Sequence, residues 1–177
     1  YTLSDGVYTD TATVSITINA VNDPPVAVND SASTDEDTSV DIHVLANDFD
    51  SDGDTLTITS VSDPPHGTAV IDDNGTSGDP SDDFVTYTPD LNYNGPDGFN
   101  YTISDGTDTD TATGSVTINP ANDAPVADDQ SVTTDEDTAK AITLTASDAD
   151  EDSLTWHIVS SPAHGTLTGA APDVTYT

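Results

Sequence analysis

Cysteine and methionine are absent from these 177 residues, Lys140 is the only basic residue, and aromatic side chains make up 6%. Without cysteine there is no disulfide framework and no thiolate metal site. No run of about 18 apolar residues occurs, so no helix is expected to cross a membrane. A formal charge of −33 excludes nucleic acid and membrane insertion at an anionic surface from the expected partners, because both would be repelled. Neither a signal peptide nor an initiator methionine is present. The chain opens on Tyr1-Thr2-Leu3, which reads as the middle of a strand, so the sequence reads as a segment of something longer.

What is abundant is aspartate. Glu36, Glu136 and Glu151 are the only glutamates among 34 acidic residues. Aspartate is a poor strand and helix former but a good turn residue and oxygen ligand. The charge admits two readings: a solvated surface, or carboxylates converging on bound cations. Position along the chain is what separates them.

The sequence repeats at about 100 residues, a common β-sandwich size. Tyr1-Thr2-Leu3-Ser4-Asp5-Gly6 returns as Tyr101-Thr102-Ile103-Ser104-Asp105-Gly106, and Asn22-Asp23 as Asn122-Asp123. Thr34-Asp35-Glu36-Asp37-Thr38 returns as Thr134-Asp135-Glu136-Asp137-Thr138, and Val85-Thr86-Tyr87-Thr88 as Val174-Thr175-Tyr176-Thr177. The expected organisation is therefore the last two strands of one repeat in 1–23, a complete repeat in 24–123, and strands A to E of the next in 124–177.

Apolar residues alternate with a period of two, the mark of half-buried strands. Ala12, Val14, Ile16 and Ile18 share one face; so do Val40, Ile42, Val44 and Ala46, and Leu154, Trp156 and Ile158. Strands are expected near 25–34 (A), 39–46 (B), 54–61 (C), 67–72 (D), 83–88 (E), 98–104 (F) and 110–119 (G). Trp156 aligns with Ile58 and reads as a core side chain. The fold class is all-β: tandem seven-stranded Greek-key sandwiches of immunoglobulin or cadherin type, in a linear array.

Alternating strand direction sorts the acids onto the two ends of each sandwich. The entry end gathers Asp48, Asp50, Asp52 and Asp54 from loop B–C, Asp105 from F–G, and Asn22 and Asp23 from the linker. The exit end gathers Asp35, Glu36 and Asp37 from A–B, Asp90 and Asp97 from E–F, and Asn122 and Asp123. Two such charges about 5 Å apart repel by roughly 3 kcal/mol at an effective dielectric of about 20, so a cluster calls for a neutralising cation. Oxygen-only donors select a hard ion, and Ca²⁺ accepts loose geometry from separate segments better than Mg²⁺. The expected ligand set is Asn22, Asp23, Glu36, Asp37, Asp48, Asp50, Asp52, Asp97, Asp105, Asn122, Asp123, Glu136, Asp148, Asp150 and Asp152.

Asp48-Phe49-Asp50-Ser51-Asp52-Gly53-Asp54 matches the first half of an EF-hand loop, but Thr59 stands where the closing glutamate belongs. An Asp-x-Asp ligand pair in a β loop is the better reading. His66 and His164 sit in equivalent turns of successive repeats and read as turn residues. No nucleophile elbow supports a Ser-His-Asp site, and the chain is expected not to be an enzyme. Asp72 through Asp83 reads as a long D–E loop containing the Asn74-Gly75-Thr76 sequon.

These motifs resemble the bacterial cadherin-like and immunoglobulin-like tandem repeats of cell-surface adhesins. The resemblance is carried by Asn22-Asp23-Pro24-Pro25, by Glu36 within Thr34-Asp35-Glu36-Asp37, by Asp48-x-Asp50 and by Ser104-Asp105-Gly106. It implies calcium at repeat junctions, an extracellular or cell-surface location, and adhesive or stalk-like roles. The partners implied are neighbouring repeats of the same chain or fibre, and cell-surface glycans or proteins. The cadherin Asp-Arg-Glu element is missing, with Pro89 to Gly98 in its place. The leading functional expectation is a calcium-stiffened structural or adhesive module. A carbohydrate-binding module, with Tyr93 as the aromatic candidate, and a filament built by strand complementation between chains are the alternatives.

Overall fold

The computed structural model describes residues 1–76 and 78–177. Ser77, within the expected D–E loop, lies outside the described residues. Residues 24–123 form a β-sandwich of seven strands. One sheet holds β3 (Asp30–Asp35), β9 (Thr109–Asn119), β8 (Gly95–Ser104) and β5 (Thr57–Val61), in that order; the other holds β4 (Val40–Ile42), β7 (Phe84–Pro89) and β6 (Gly67–Asp72). All neighbours are antiparallel except β3, which runs parallel to β9 with Asp30 opposite Gly114 and Asp35 opposite Asn119.

The alternating pattern in β9 explains the core. Ala112, Val116 and Ile118 point inward while the threonines between them face solvent. They join Phe99, Tyr101 and Ile103 from β8 and Ile58 from β5 of the same sheet, and meet Ile42, Val44, Ala69, Val85 and Tyr87 from the facing elements. Fully burying side chains of this size stabilises by about 1.5–3 kcal/mol each before entropy is counted. Gly114 holds an inward position for a steric reason. A Cβ there would lie 2.6 Å from Cζ of Phe99, so the aromatic ring fills the space.

Four boundaries differ from expectation: strand A starts only at Asp30 and strand C only at Thr57, and strands B and F differ as well. Strand B stops at Ile42, and Val44–Ala46 turn into a 3-10 segment closed by the Ala46 N–H donating to His43 O at 3.1 Å. Val44 still reaches the core, fully buried, but the alternation ends there: the turn exposes Ala46 and packs Leu45 against the core instead. Strand F starts at Gly95, earlier than expected, because Gly95 and Pro96 already pair with Ile118 and Thr117.

The flanking stretches are less complete. Residues 1–23 contain the hairpin β1 (Thr2–Ser4) and β2 (Thr9–Thr11), and Val14, Ile16 and Ile18 are exposed. Their counterpart β9 is held between two neighbours, whereas within 1–23 β2 has only β1. In 124–177, β10 (Val126–Ala127) pairs with β12 (Ala146–Ser147), and β11 (Lys140–Thr143) with β14 (Asp173–Tyr176), which also pairs with β13 (Leu167–Ala170). The strand expected at Leu154, Trp156 and Ile158 is not formed, and Trp156 is half-buried instead of lying in a core. In the central repeat the equivalent β5 is held by β8; residues 124–177 include no counterpart of β8, so nothing pairs with that segment.

Candidate functional site

The Thr-Asp-Glu-Asp-Thr motif folds into the same turn in both repeats. Thr34 Oγ1 donates to Thr38 O at 2.8 Å and Thr134 Oγ1 to Thr138 O at 2.9 Å, while Asp37 and Asp137 take φ values of 59° and 57°. In the central repeat the turn presses Glu36 inward, leaving it 4% exposed. Its carboxylate accepts the Ala121 N–H at 2.6 Å and the Asn94 side-chain amide at 3.3 Å. Glu36 thus ties the A–B corner to the E–F loop and the start of the linker, without a cationic partner.

The linker then crosses to the next repeat. The Asp123 N–H donates to Asp150 Oδ2 at 2.6 Å. Withdrawal from solvent pushes the Asp123 carboxyl above the usual aspartate range, and the negative charges of Asp37, Asp150, Glu36 and Asp148 push it further. Asp123 Oδ2 is buried with no hydrogen-bond partner. The exit junction therefore brings together acids from the central repeat, the linker and the following repeat.

The entry junction is built alike. The Asp23 N–H donates to Asp52 Oδ2 at 2.7 Å, and the Asn22 amide donates to Asp105 Oδ2 at 3.0 Å and Asp108 Oδ2 at 3.1 Å. The Asn22 amide, with the N–H groups of Asp108 and Thr107, holds the Asp105 carboxyl below its ordinary range. Asp50 Oδ1 accepts the Asp52 and Asp54 N–H groups at 2.8 and 3.2 Å, and its Oδ2 is buried without a partner.

Loop B–C carries the two-residue offset that also sets Trp156 opposite Ile58. Asp148 Oδ1 accepts the N–H groups of Asp150 and Asp152, each at 3.1 Å, as Asp50 does from Asp52 and Asp54. Asp50 is thus the structural equivalent of Asp148, and Asp52 of Asp150. The bridge from Val26 to Phe49, against the pairing of Val126 with Ser147, says the same. Leu56 opposite Leu154 was the available signal.

Asp48 consequently has no acidic counterpart; Ala146 occupies its place. Asp48 Oδ1 accepts the Val28 N–H at 2.7 Å and the Tyr101 hydroxyl lies 3.2 Å away, closer still to Asp30 Oδ2 at 2.8 Å. This network sits below the entry junction, with Asp110 Oδ2 accepting the Ala27 N–H at 2.9 Å. Burial raises Asp48 and Asp30, and the charges of Asp30 and Asp110 add to the rise at Asp48.

Asp97 lies inside β8, where it accepts the Tyr87 hydroxyl at 2.6 Å and the His66 N–H at 3.0 Å, so it fixes the C–D turn and is not among the charges around Asp123. Glu136 is exposed at the far end of the following repeat, and Asn122 donates to Asp123 O at 2.7 Å. Asn92 and Asn94, which the sequence reading passed over, contribute donors where cadherins carry acids: the Asn92 N–H reaches Asp37 Oδ1 at 2.9 Å. Among the described residues, no group of three His, Asp or Glu side chains is arranged to hold a metal ion. The donor chemistry nevertheless suits a hard cation: every converging side-chain group is an oxygen or a carboxamide, and Asp48, Asp50 and Asp123 each present a buried oxygen that no protein donor satisfies.

The two sheets, their parallel β3–β9 edge and the shared core define an immunoglobulin-like β-sandwich with a second copy of the motif following it. The chain belongs to the bacterial Ig domain family, whose pattern matches residues 22–119 and again 122–177. Such domains are typically non-catalytic and occur in extracellular or surface proteins. No curated protein matches the chain. Similar solved structures include an endo-fucoidan hydrolase of glycoside hydrolase family 107, at 21% identity and TM-score 0.44, over 86% of this chain and 23% of that one. Another is a nucleoside hydrolase-related protein from Saccharophagus degradans associated with carbohydrate metabolism, at 23% identity and TM-score 0.34, over 58% of this chain and 26% of that one. A chimeric titin Z1Z2 aligns at 8% identity and TM-score 0.34, over 89% of this chain and 82% of that one. The chain spans about a quarter of the two hydrolase-related proteins. Among the described residues, no helix is long and apolar enough to cross a membrane.

Proposed function

We propose that this chain is a calcium-stiffened structural or adhesive segment of an extracellular surface protein, with the ions held where one sandwich meets the next. The observation that carries the reading is the exit junction, where the charges of Asp37, Asp150, Glu36 and Asp148 all bear on Asp123 with no basic residue among them. Like charges so placed push the repeats apart. A divalent cation reverses that sign and links the A–B corner, the linker and the B–C loop of the following repeat. The residues that would hold it at this junction are Glu36, Asp37, Asp123, Asp148 and Asp150; at the entry junction they are Asp23, Asp50, Asp52 and Asp105. Rotation of these side chains toward the ion is part of binding. The linker N–H bonds already made to Asp52 and Asp150 set the approach of the segments beforehand.

A rod assembled this way extends whatever lies beyond it from the surface and resists bending. A glycan platform at Tyr93 has weaker support. That ring stacks on His66 with centroids 4.0 Å apart and its hydroxyl donates to Pro96 O, so one face is already covered. The test is thermal unfolding and small-angle scattering in calcium and in chelator. With free calcium near 100 times its Kd, about 2.7 kcal/mol of stabilisation is expected, together with a longer, stiffer particle. Superimposable melting and scattering curves in the two conditions overturn the proposal.

A further inference from the structure

We propose that Asn74 is a site of spontaneous deamidation, a slow chemical switch in the charge of the D–E loop. Asn74-Gly75 occupies the turn after β6, with Asn74 exposed and at φ 49°. Gly75 follows at φ 70°, exposed, and a Cβ there would meet nothing within 4 Å, so no side chain packs over the Asn74-Gly75 turn at that position. The Gly75 N–H donates to Asp73 Oδ1 at 3.0 Å, which places a carboxylate to draw off that proton. The Asn74 side-chain amide donates to Asp82 Oδ2 at 3.2 Å.

The chemistry follows from these positions. The Gly75 nitrogen attacks Cγ of Asn74, forming a C–N bond and breaking Cγ–Nδ2. The proton lost by Gly75 passes to the departing nitrogen, which leaves as ammonia. Water then opens the resulting imide at either carbonyl to give aspartate or isoaspartate. Aspartate places a carboxylate where the amide donor had faced Asp82, while isoaspartate routes the main chain through Cγ and frees the α-carboxylate; both add a negative charge to a loop where desolvation and the charges of Asp82, Asp73, Asp79 and Asp72 already raise the carboxyl of Asp83. The contact that ties the two ends of the loop becomes a repulsion.

Asn94-Gly95 provides the internal control. Its amide donates to the buried Glu36, and the Tyr93 ring packs over Gly95, with its hydroxyl 3.1 Å from where a Cβ would stand. Ring closure there has to displace both. The experiment is to hold the full chain at mildly alkaline pH and map the products by peptide mass spectrometry, scoring isoaspartate at each asparagine. Isoaspartate is expected at Asn74 before any is detectable at Asn94, and Asn74→Gln is expected to abolish it at that position. Equal or faster conversion at Asn94 overturns the inference. So does an intact Asn74 in the folded chain under conditions where an unstructured peptide carrying Asp72 to Thr76 converts.

Discussion

The central repeat and the stretch that follows it carry the same motifs but reach different degrees of closure. In the central repeat Tyr87 is fully buried and donates to His66 O at 3.1 Å; its counterpart Tyr176 makes the same bond to His164 O at 2.6 Å yet stays half-buried. Val174 is the one hydrophobic residue of 124–177 in the buried set, against twelve in the central repeat. The local turns form in both, so they depend on neighbouring residues. The core forms only where β8 and β9 close the sandwich, so it depends on the F–G hairpin.

The largest effect expected to sharpen this contrast is truncation of the paired tyrosines. Removing a fully packed aromatic costs about 3–5 kcal/mol, so Tyr87→Ala should unfold the central repeat at much lower denaturant. Tyr176→Ala, with less surface to lose, should shift the midpoint by a small part of that. Equal shifts in urea titrations of the two variants would show that closure does not distinguish the repeats.

Next comes the pair of motif glutamates. Glu36→Ala removes a buried side chain and leaves the half-buried Ala121 N–H without its acceptor, while the exposed Asn94 amide turns to water; leaving one such donor unpaired costs about 1–3 kcal/mol. Glu136→Ala changes an exposed side chain and should stay within about 0.5 kcal/mol. Measuring both in chelator separates this structural role from metal ligation; a Glu36→Ala cost that appears only with calcium present would mean that the hydrogen bonds contribute nothing.

How much of this was readable in the sequence depends on range. The Thr34 to Thr38 turn, the β9 alternation and the Asn22-Asp23 linker are local, and period and turn chemistry disclosed them. The inward aim of Glu36 was not readable, because it results from Asn94 and Ala121, residues 58 and 85 positions away. The fate of Trp156 was misread for a related reason: its alternation is that of a strand, but a strand needs a partner, and β8 supplies that partner only in the central repeat. Asp48 was grouped with the junction as an acid of loop B–C; its contacts through Oδ1 to the Val28 N–H and the Tyr101 hydroxyl were not readable, because packing brings those residues to it. Asp97 likewise looked like a loop acid until β8 extended through it.

The smallest effect is a pH dependence, and it also separates the repeats. Burial raises the carboxyls of Asp30 and Asp48, and withdrawal from solvent with neighbouring charge raises Asp123. A group whose folded pKa is raised binds more protons folded than unfolded. Its contribution is fully present below the ordinary aspartate value of about 3.9 and is lost as pH rises through the folded pKa. Asp5, Asp79 and Asp105 are lowered by hydrogen bonds and act in the opposite sense, losing their contribution as pH falls through their folded values. The metal-free chain should therefore be most stable in mild acid, near the ordinary aspartate range, and less stable at neutral pH. Calcium inverts the slope, because protons then compete with the ion for the same oxygens. Gln130 and Ala146 stand where the central repeat has Asp30 and Asp48, and Gln130 donates to Thr143 O and Thr145 Oγ1 at 3.1 Å. Replacing Asp30 and Asp48 by those residues should flatten the chelator curve of melting temperature against pH. A variant curve with the wild-type slope would assign the gain to the junction acids instead.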